Sequence, residues 1–132
     1  MSANEPRTRR REGDVLSASP HTAGRPLVEV LYFEGCPNQE ATVALVERLS
    51  REVGLEAELW LVRVSDQAAA ERLRCLGSPT VRVGGVDLDP FAGERCAYGL
   101  CCRVFQTGAG VSGQPEERRV REALSRELVA AA

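Results

Sequence analysis

The chain contains no lysine: all 17 of its basic residues are arginine. Schiff-base chemistry and a lysine anchor for phosphate are therefore excluded. Histidine is nearly absent too. His21 is the only one, and no cysteine has a histidine near it in sequence, so a cysteine hydrolase lacks its base. There is no surplus of positive charge. The formal net charge is −2, which disfavours a nucleic-acid partner. No apolar run approaches the ~20 residues of a membrane span, so no membrane partner is expected. Arg7, Arg9, Arg10 and Arg11 are not followed by an apolar stretch, and a secretory signal is not expected either. The expected setting is cytoplasmic and reducing. What is there in excess is sulfur: five cysteines in 132 residues, an odd number that cannot all pair within one chain. In a reducing compartment cysteines are kept for chemistry more often than for crosslinks.

Residues 1–26 read as a disordered leader. Five arginines stand against Glu5, Glu12 and Asp14, a balance of +2 that leaves −4 for the rest, and large apolar residues are scarce. Residues 27–132 form the expected domain. Leu27 to Phe33 is a short β-branched and aromatic run, as in a buried strand. Pro37 opens a helix carrying Ala41, Ala44, Leu45, Leu49 and Val53, with Gly54 as its stop. Glu58–Val64 is a second strand. Asp66 caps an alanine-rich helix that runs through Leu76 and ends at Gly77. Val81–Val83 and Val86–Leu88 flank Gly84-Gly85 as a hairpin. Residues 90–114 show little periodicity. A final helix begins at Pro115, with Val120, Leu124 and Leu128 on one stripe. The predicted order is β-α-β-α-β-β-α, an α/β fold with a mixed sheet and an irregular cysteine-containing insertion before the last helix.

Cys36 lies where the first strand hands over to the first helix. Unpaired N–H groups and the helix macrodipole favour a thiolate there, and a thiolate is a nucleophile and a soft-metal ligand. Cys36-Pro37-Asn38-Gln39 also resembles a capping box with a thiol in place of a hydroxyl. Cysteine caps less well than Ser, Asp or Asn, which argues that the sulfur is used. Cys75 is expected to pack as a small hydrophobe. Cys96, Cys101 and Cys102 lie within seven residues, between Arg95 and Arg103, a neighbourhood that favours thiolates. Their spacing lacks the paired C-x₂₋₄-C of structural zinc sites, so no metal centre is assigned. Asp87, Asp89 and Glu94 read as surface charges. Gly84-Gly85 is a turn rather than a phosphate loop, because no helix follows it.

The strand before Cys36-Pro37, the element order and Ser78-Pro79-Thr80 before the third strand together resemble the thioredoxin-like superfamily. The resemblance covers about residues 27–89 and the last helix. It implies a cis Ser78-Pro79 bond beside Cys36, a site lined by Pro37, Ser78, Pro79 and Thr80, and backbone groups there that bind a thiol or peptide. The sequence departs from the family's C-x-x-C at Gln39, so Cys36 lacks the usual resolving partner. Gly35-Cys36-Pro37-Asn38, Ser78-Pro79-Thr80 and Tyr98-Gly99-Leu100-Cys101-Cys102-Arg103-Val104 further resemble a group of small bacterial thioredoxin-like proteins. Some of that group are selenoproteins and some are labelled alkylmercury lyases. This implies Cys36 as the redox atom and Cys102 (or Cys101) as its partner. No bound cofactor is expected; glutathione or a thioredoxin-type donor would supply electrons. The expected partners are thiol- or disulfide-containing proteins or small molecules. The alternatives are a site that captures soft metals such as mercury or copper, and a non-catalytic interaction domain.

Overall fold

The computed structural model describes residues 9–13, 21–22, 25–89, 98–108 and 110–131. Among these residues eight strands and three helices fall in the order β1 (Arg9–Gly13), β2 (His21–Thr22), β3 (Arg25–Tyr32), α1 (Gln39–Val53), β4 (Glu58–Arg63), α2 (Gln67–Leu73), β5 (Thr80–Val83), β6 (Val86–Asp87), β7 (Phe105–Thr107), β8 (Gly110–Ser112) and α3 (Glu117–Ala131). The main sheet runs β1-β4-β3-β5-β6, with β2 paired to the start of β3, and β7-β8 is a separate hairpin. β1, β4 and β3 are mutually parallel, and β5 and β6 are antiparallel additions. The protein is thus an α/β fold on a mixed sheet. None of its described helices is long and apolar enough to cross a membrane.

Strand alternation divides the core in two. Val28 and Val30 of β3, Leu59 and Leu61 of β4, and Val81 and Val83 of β5 face one side, against Val43, Val46 and Leu49 of α1 and Val120, Ala123 and Leu124 of α3. The other face carries Leu31 and Val62, packed with Val64 beyond β4 and with Ala69, Ala70 and Cys75 in and after α2. Each such Val or Leu contributes roughly 1.5–3 kcal/mol by leaving water. The sheet therefore separates α1 and α3 from α2, a division on which the site below depends.

Several sequence expectations are corrected. Arg9–Gly13 and His21–Thr22, assigned above to a disordered leader, are strands at the margins of the sheet. A marginal strand needs only backbone pairing, so hydrophobic patterning gives no warning of it. Ala41 and Ala44 are exposed, and the buried stripe of α1 runs through Thr42, Val43, Val46, Leu49 and Ser50. Leu128 is exposed on α3. α2 ends at Leu73 rather than Leu76, with Arg74 itself left-handed at φ 54°. The Cys75 N–H returns to the Ala70 carbonyl at 2.8 Å, closing a Schellman-type end. The Arg82 guanidinium, on the α2 face of β5, donates to the Leu73 and Arg74 carbonyls. Within the supposed irregular stretch, Phe105–Thr107 and Gly110–Ser112 form a hairpin. Asp66 caps α2 through the Ala69 N–H at 2.8 Å, and Gly84 and Gly85 both have positive φ, as a tight hairpin turn needs.

Candidate functional site

Cys36 reaches its position through turns rather than through a helix end. The Cys36 N–H donates to the Phe33 carbonyl at 3.2 Å, and Gly35, third in that turn, has φ 89°. This is the pattern of a type II turn, in which the third position needs positive φ. The helix begins only at Gln39, with Asn38 as its N-cap. Cys36 is therefore not the cap, and Pro37 is not the first helical residue. The Asn38 side chain makes no capping bond and lies against Gly113 instead, leaving no room for a Cβ there. The thiol sits ahead of the macrodipole's end, and that argument for its activation loses force. Cys36 is nearly covered, at 9% exposure.

Ser78, Pro79 and Thr80 are buried, and the Ser78-Pro79 peptide bond is cis. The Ser78 hydroxyl accepts from the Phe33 N–H at 3.4 Å, which ties this loop to the turn that carries Cys36. The Ser78 backbone is not free. Its N–H donates to the Cys101 carbonyl at 2.7 Å, and its carbonyl accepts from the Arg103 N–H at 2.9 Å. These two bonds flank Cys102 and make a parallel β-bridge between Ser78 and Cys102. The packing is close: a Cβ at Gly77 would stand 3.0 Å from the Cys101 carbonyl oxygen.

Arg103 holds this segment down. It is 2% exposed, yet it carries a guanidinium. Both terminal nitrogens donate to the Asp87 carboxylate at 2.8 Å, and one also donates to the Thr80 hydroxyl at 3.1 Å. Asp89 stands 3.9 Å away, and the Phe105 ring lies 4.9 Å from the guanidinium carbon. The Thr80 hydroxyl in turn donates to the Gly77 carbonyl at 2.6 Å. Asp87 is thus the counterion of a buried arginine and not a surface charge. A bidentate pair of this kind fixes orientation as well as distance.

The side chain of Arg103 decides where Cys102 points. Arg103 turns to Thr80 and Asp87, which lie on the sheet face occupied by α2, because Asp87 pairs with Arg82 and Thr80 alternates with the core residue Val81. Neighbours in an extended segment project oppositely. Cys102 therefore projects away from the Arg103 side chain. Cys101 and Cys102 are both exposed, and exposed Leu100 and Val104 flank them. Cys36, Cys75, Cys101 and Cys102 are all free thiols. Cys75 is buried under Thr80, its sulfur 3.4 Å from the Gly77 carbonyl and 3.8 Å from the Thr80 hydroxyl. Cys96, Arg95 and Glu94 lie outside the described residues.

The structure thus connects Cys36 to Ser78 through Phe33, and Ser78 to Cys102 through the bridge. Thr80 serves the Arg103 anchor. Sequence reasoning missed Arg103 and Asp87 as a pair. The one available signal was an arginine directly after the cysteine pair, taken above for a neighbour that favours thiolates. Among the described residues no three His, Cys, Asp or Glu side chains stand together as a metal site. Compared with protein-family models, with curated proteins and with solved structures, the chain finds no match.

Proposed function

We propose that this chain is a thiol-dependent redox protein of thioredoxin-like build, with Cys36 as nucleophile and Cys102 as resolving thiol. The observation that carries the reading is the bridge between Cys102 and Ser78, the residue whose hydroxyl is hydrogen-bonded to the turn that carries Cys36. The sequence of elements from β3 through β6 to α3, with α2 alone on its face, supports the thioredoxin-like comparison.

The chemistry is thiol–disulfide exchange. The Cys36 thiolate attacks one sulfur of a substrate disulfide, forming a mixed disulfide and releasing the other sulfur as a thiolate. The Cys102 thiolate then attacks the Cys36 sulfur, freeing the second substrate thiolate. Two electrons have passed to the substrate, and a Cys36–Cys102 disulfide remains. Glutathione or a dithiol donor returns it to the reduced state. The soft-metal reading would use the same two sulfurs as a two-thiolate site.

The test is trapping. With a disulfide substrate, Cys102→Ser accumulates the mixed disulfide at Cys36 beside any adduct on exposed Cys101, and Cys36→Ser loses the Cys36 adduct while leaving those on the exposed thiols. If Cys36 forms no mixed disulfide in the Cys102→Ser variant, the redox reading fails. Mercury bound one to one, and held against competing thiols without any turnover, would favour the metal reading.

A further inference from the structure

The outer side of the Ser78–Val83 segment, whose Ser78 hydroxyl holds the turn that carries Cys36, is already taken by the chain itself, and this bears on what the site can accept. Extended peptides bind at sheet edges by pairing with free backbone N–H and C=O groups. At Ser78 both groups are used by Cys101 and Arg103. Further along, β6 pairs with Arg82 and Val83 of β5, and the Leu88 N–H donates to the Val81 carbonyl at 3.1 Å. A peptide would have to displace the 101–103 segment. It would gain two backbone hydrogen bonds of the kind it broke, and could not replace the buried Arg103–Asp87 pair that anchors the segment.

We infer that residues Cys101–Arg103 form a built-in cover of the peptide-binding edge, so that Cys36 serves small disulfides of the glutathione class rather than extended protein segments. The inference rests on the redox reading of Cys36. Small reagents need no backbone pairing: the Cys36 thiolate attacks one sulfur of glutathione disulfide, gains a glutathionyl group and releases glutathione thiolate. Cys102 then displaces the second glutathione, and a dithiol donor restores the thiols, since glutathione itself would only reverse the reaction. The cover and the resolving thiol are then one device, since the segment that closes the edge also carries Cys102.

The experiment uses the full chain with Cys101→Ser and Cys102→Ser, which remove the competing sulfurs and leave the backbone in place. Rates of adduct formation at Cys36 are measured by mass spectrometry with two probes. One is glutathione disulfide. The other is an extended, proline-free peptide whose single cysteine is joined to glutathione. Without edge pairing the peptide reacts no more than about threefold faster than glutathione disulfide. A peptide about tenfold faster or more, equivalent to about 1.4 kcal/mol of recognition, overturns the inference. Amide exchange on the same protein gives a second reading. Ser78 and Arg103 N–H groups are protected if the cover is closed, and exchange at unprotected rates there overturns it. Absence of an adduct with both probes removes the redox reading, and the substrate class with it, even where the two amides are protected.

Discussion

At the scale of the residue, Arg103 and Glu29 are charged groups inside a small protein, and each has a measurable consequence. Asp87→Ala leaves the buried Arg103 guanidinium without its bidentate partner, with only the Asp89 carboxylate at 3.9 Å. Breaking such a pair from one side costs about 3–5 kcal/mol, and urea denaturation should show a loss of that order. A loss below about 1 kcal/mol, the worth of a surface ion pair, would contradict the buried arrangement. Glu29 lies in the middle of β3, across from Arg82, and is buried. Burial pushes its carboxyl above the ordinary range, against the pull of the Arg82 charge. A raised folded-state value stabilises below the unfolded value and is lost as pH rises through the folded one. Glu29→Gln should therefore gain on the native protein as pH climbs out of the ordinary carboxylate range, then keep a constant margin. Melting temperatures across that range check this; a margin that shrinks with rising pH would contradict it. Neither residue's environment was legible in the sequence. Glu29 interrupts an apolar run as any outward strand residue does, and Arg103 finds Asp87 from sixteen residues away.

At the scale of the element, two contacts between segments invite tests. α1 and α3 are joined by a four-membered lattice: Arg48 donates to Glu52 and Glu117, and Arg121 donates to the same two carboxylates, all between 2.9 and 3.0 Å. Hydrogen bonds from Arg121 and Arg48 hold the Glu52 carboxyl low, and those from Arg48 and Arg121 do the same for Glu117. A lowered folded-state value gives stability that is present above the unfolded value and lost as pH falls through the folded one. The groups are exposed, so the effect is modest and screened by salt. The melting-temperature gap between the native protein and Glu52→Gln/Glu117→Gln should close under acid and narrow at high salt; a gap unchanged by both would contradict the lattice. Gly77 is the second case. Its φ of 118° suits glycine alone, and an added Cβ would press on the Cys101 carbonyl. Gly77→Ala should cost about 1–3 kcal/mol and speed exchange of the Ser78 amide, where an unchanged amide would show that the bridge does not depend on this approach. Helix existence was legible from apolar spacing, and the Asp66 cap from its residue type. The true start of α1 was not, because the turn made by Phe33 to Cys36 depends on a positive φ at Gly35, which glycine permits but does not announce.

At the scale of the whole molecule, the arrangement is a sheet with α1 and α3 on one face and α2 on the other, and the proposed chemistry lies in the turn between the central strand β3 and the start of α1. The β3-α1-β4-α2-β5-β6-α3 order was legible, since each element has its own hydrophobic period. The strands at 9–13 and 21–22 and the β7-β8 hairpin were not, since pairing through the backbone leaves little mark on side-chain choice. That one of Cys96, Cys101 or Cys102 works with Cys36 is an expectation from the sequence; the hydrogen bonds through Phe33 and Ser78 tie the Cys36 turn to the segment that carries Cys101 and Cys102. The measurement that tests this account most directly is peptide mapping after mild oxidation of the full chain. The account predicts one intramolecular disulfide, Cys36 to Cys102, with Cys75 still a free thiol. A Cys36 that stays reduced while Cys101 or Cys102 oxidises with other partners would contradict it.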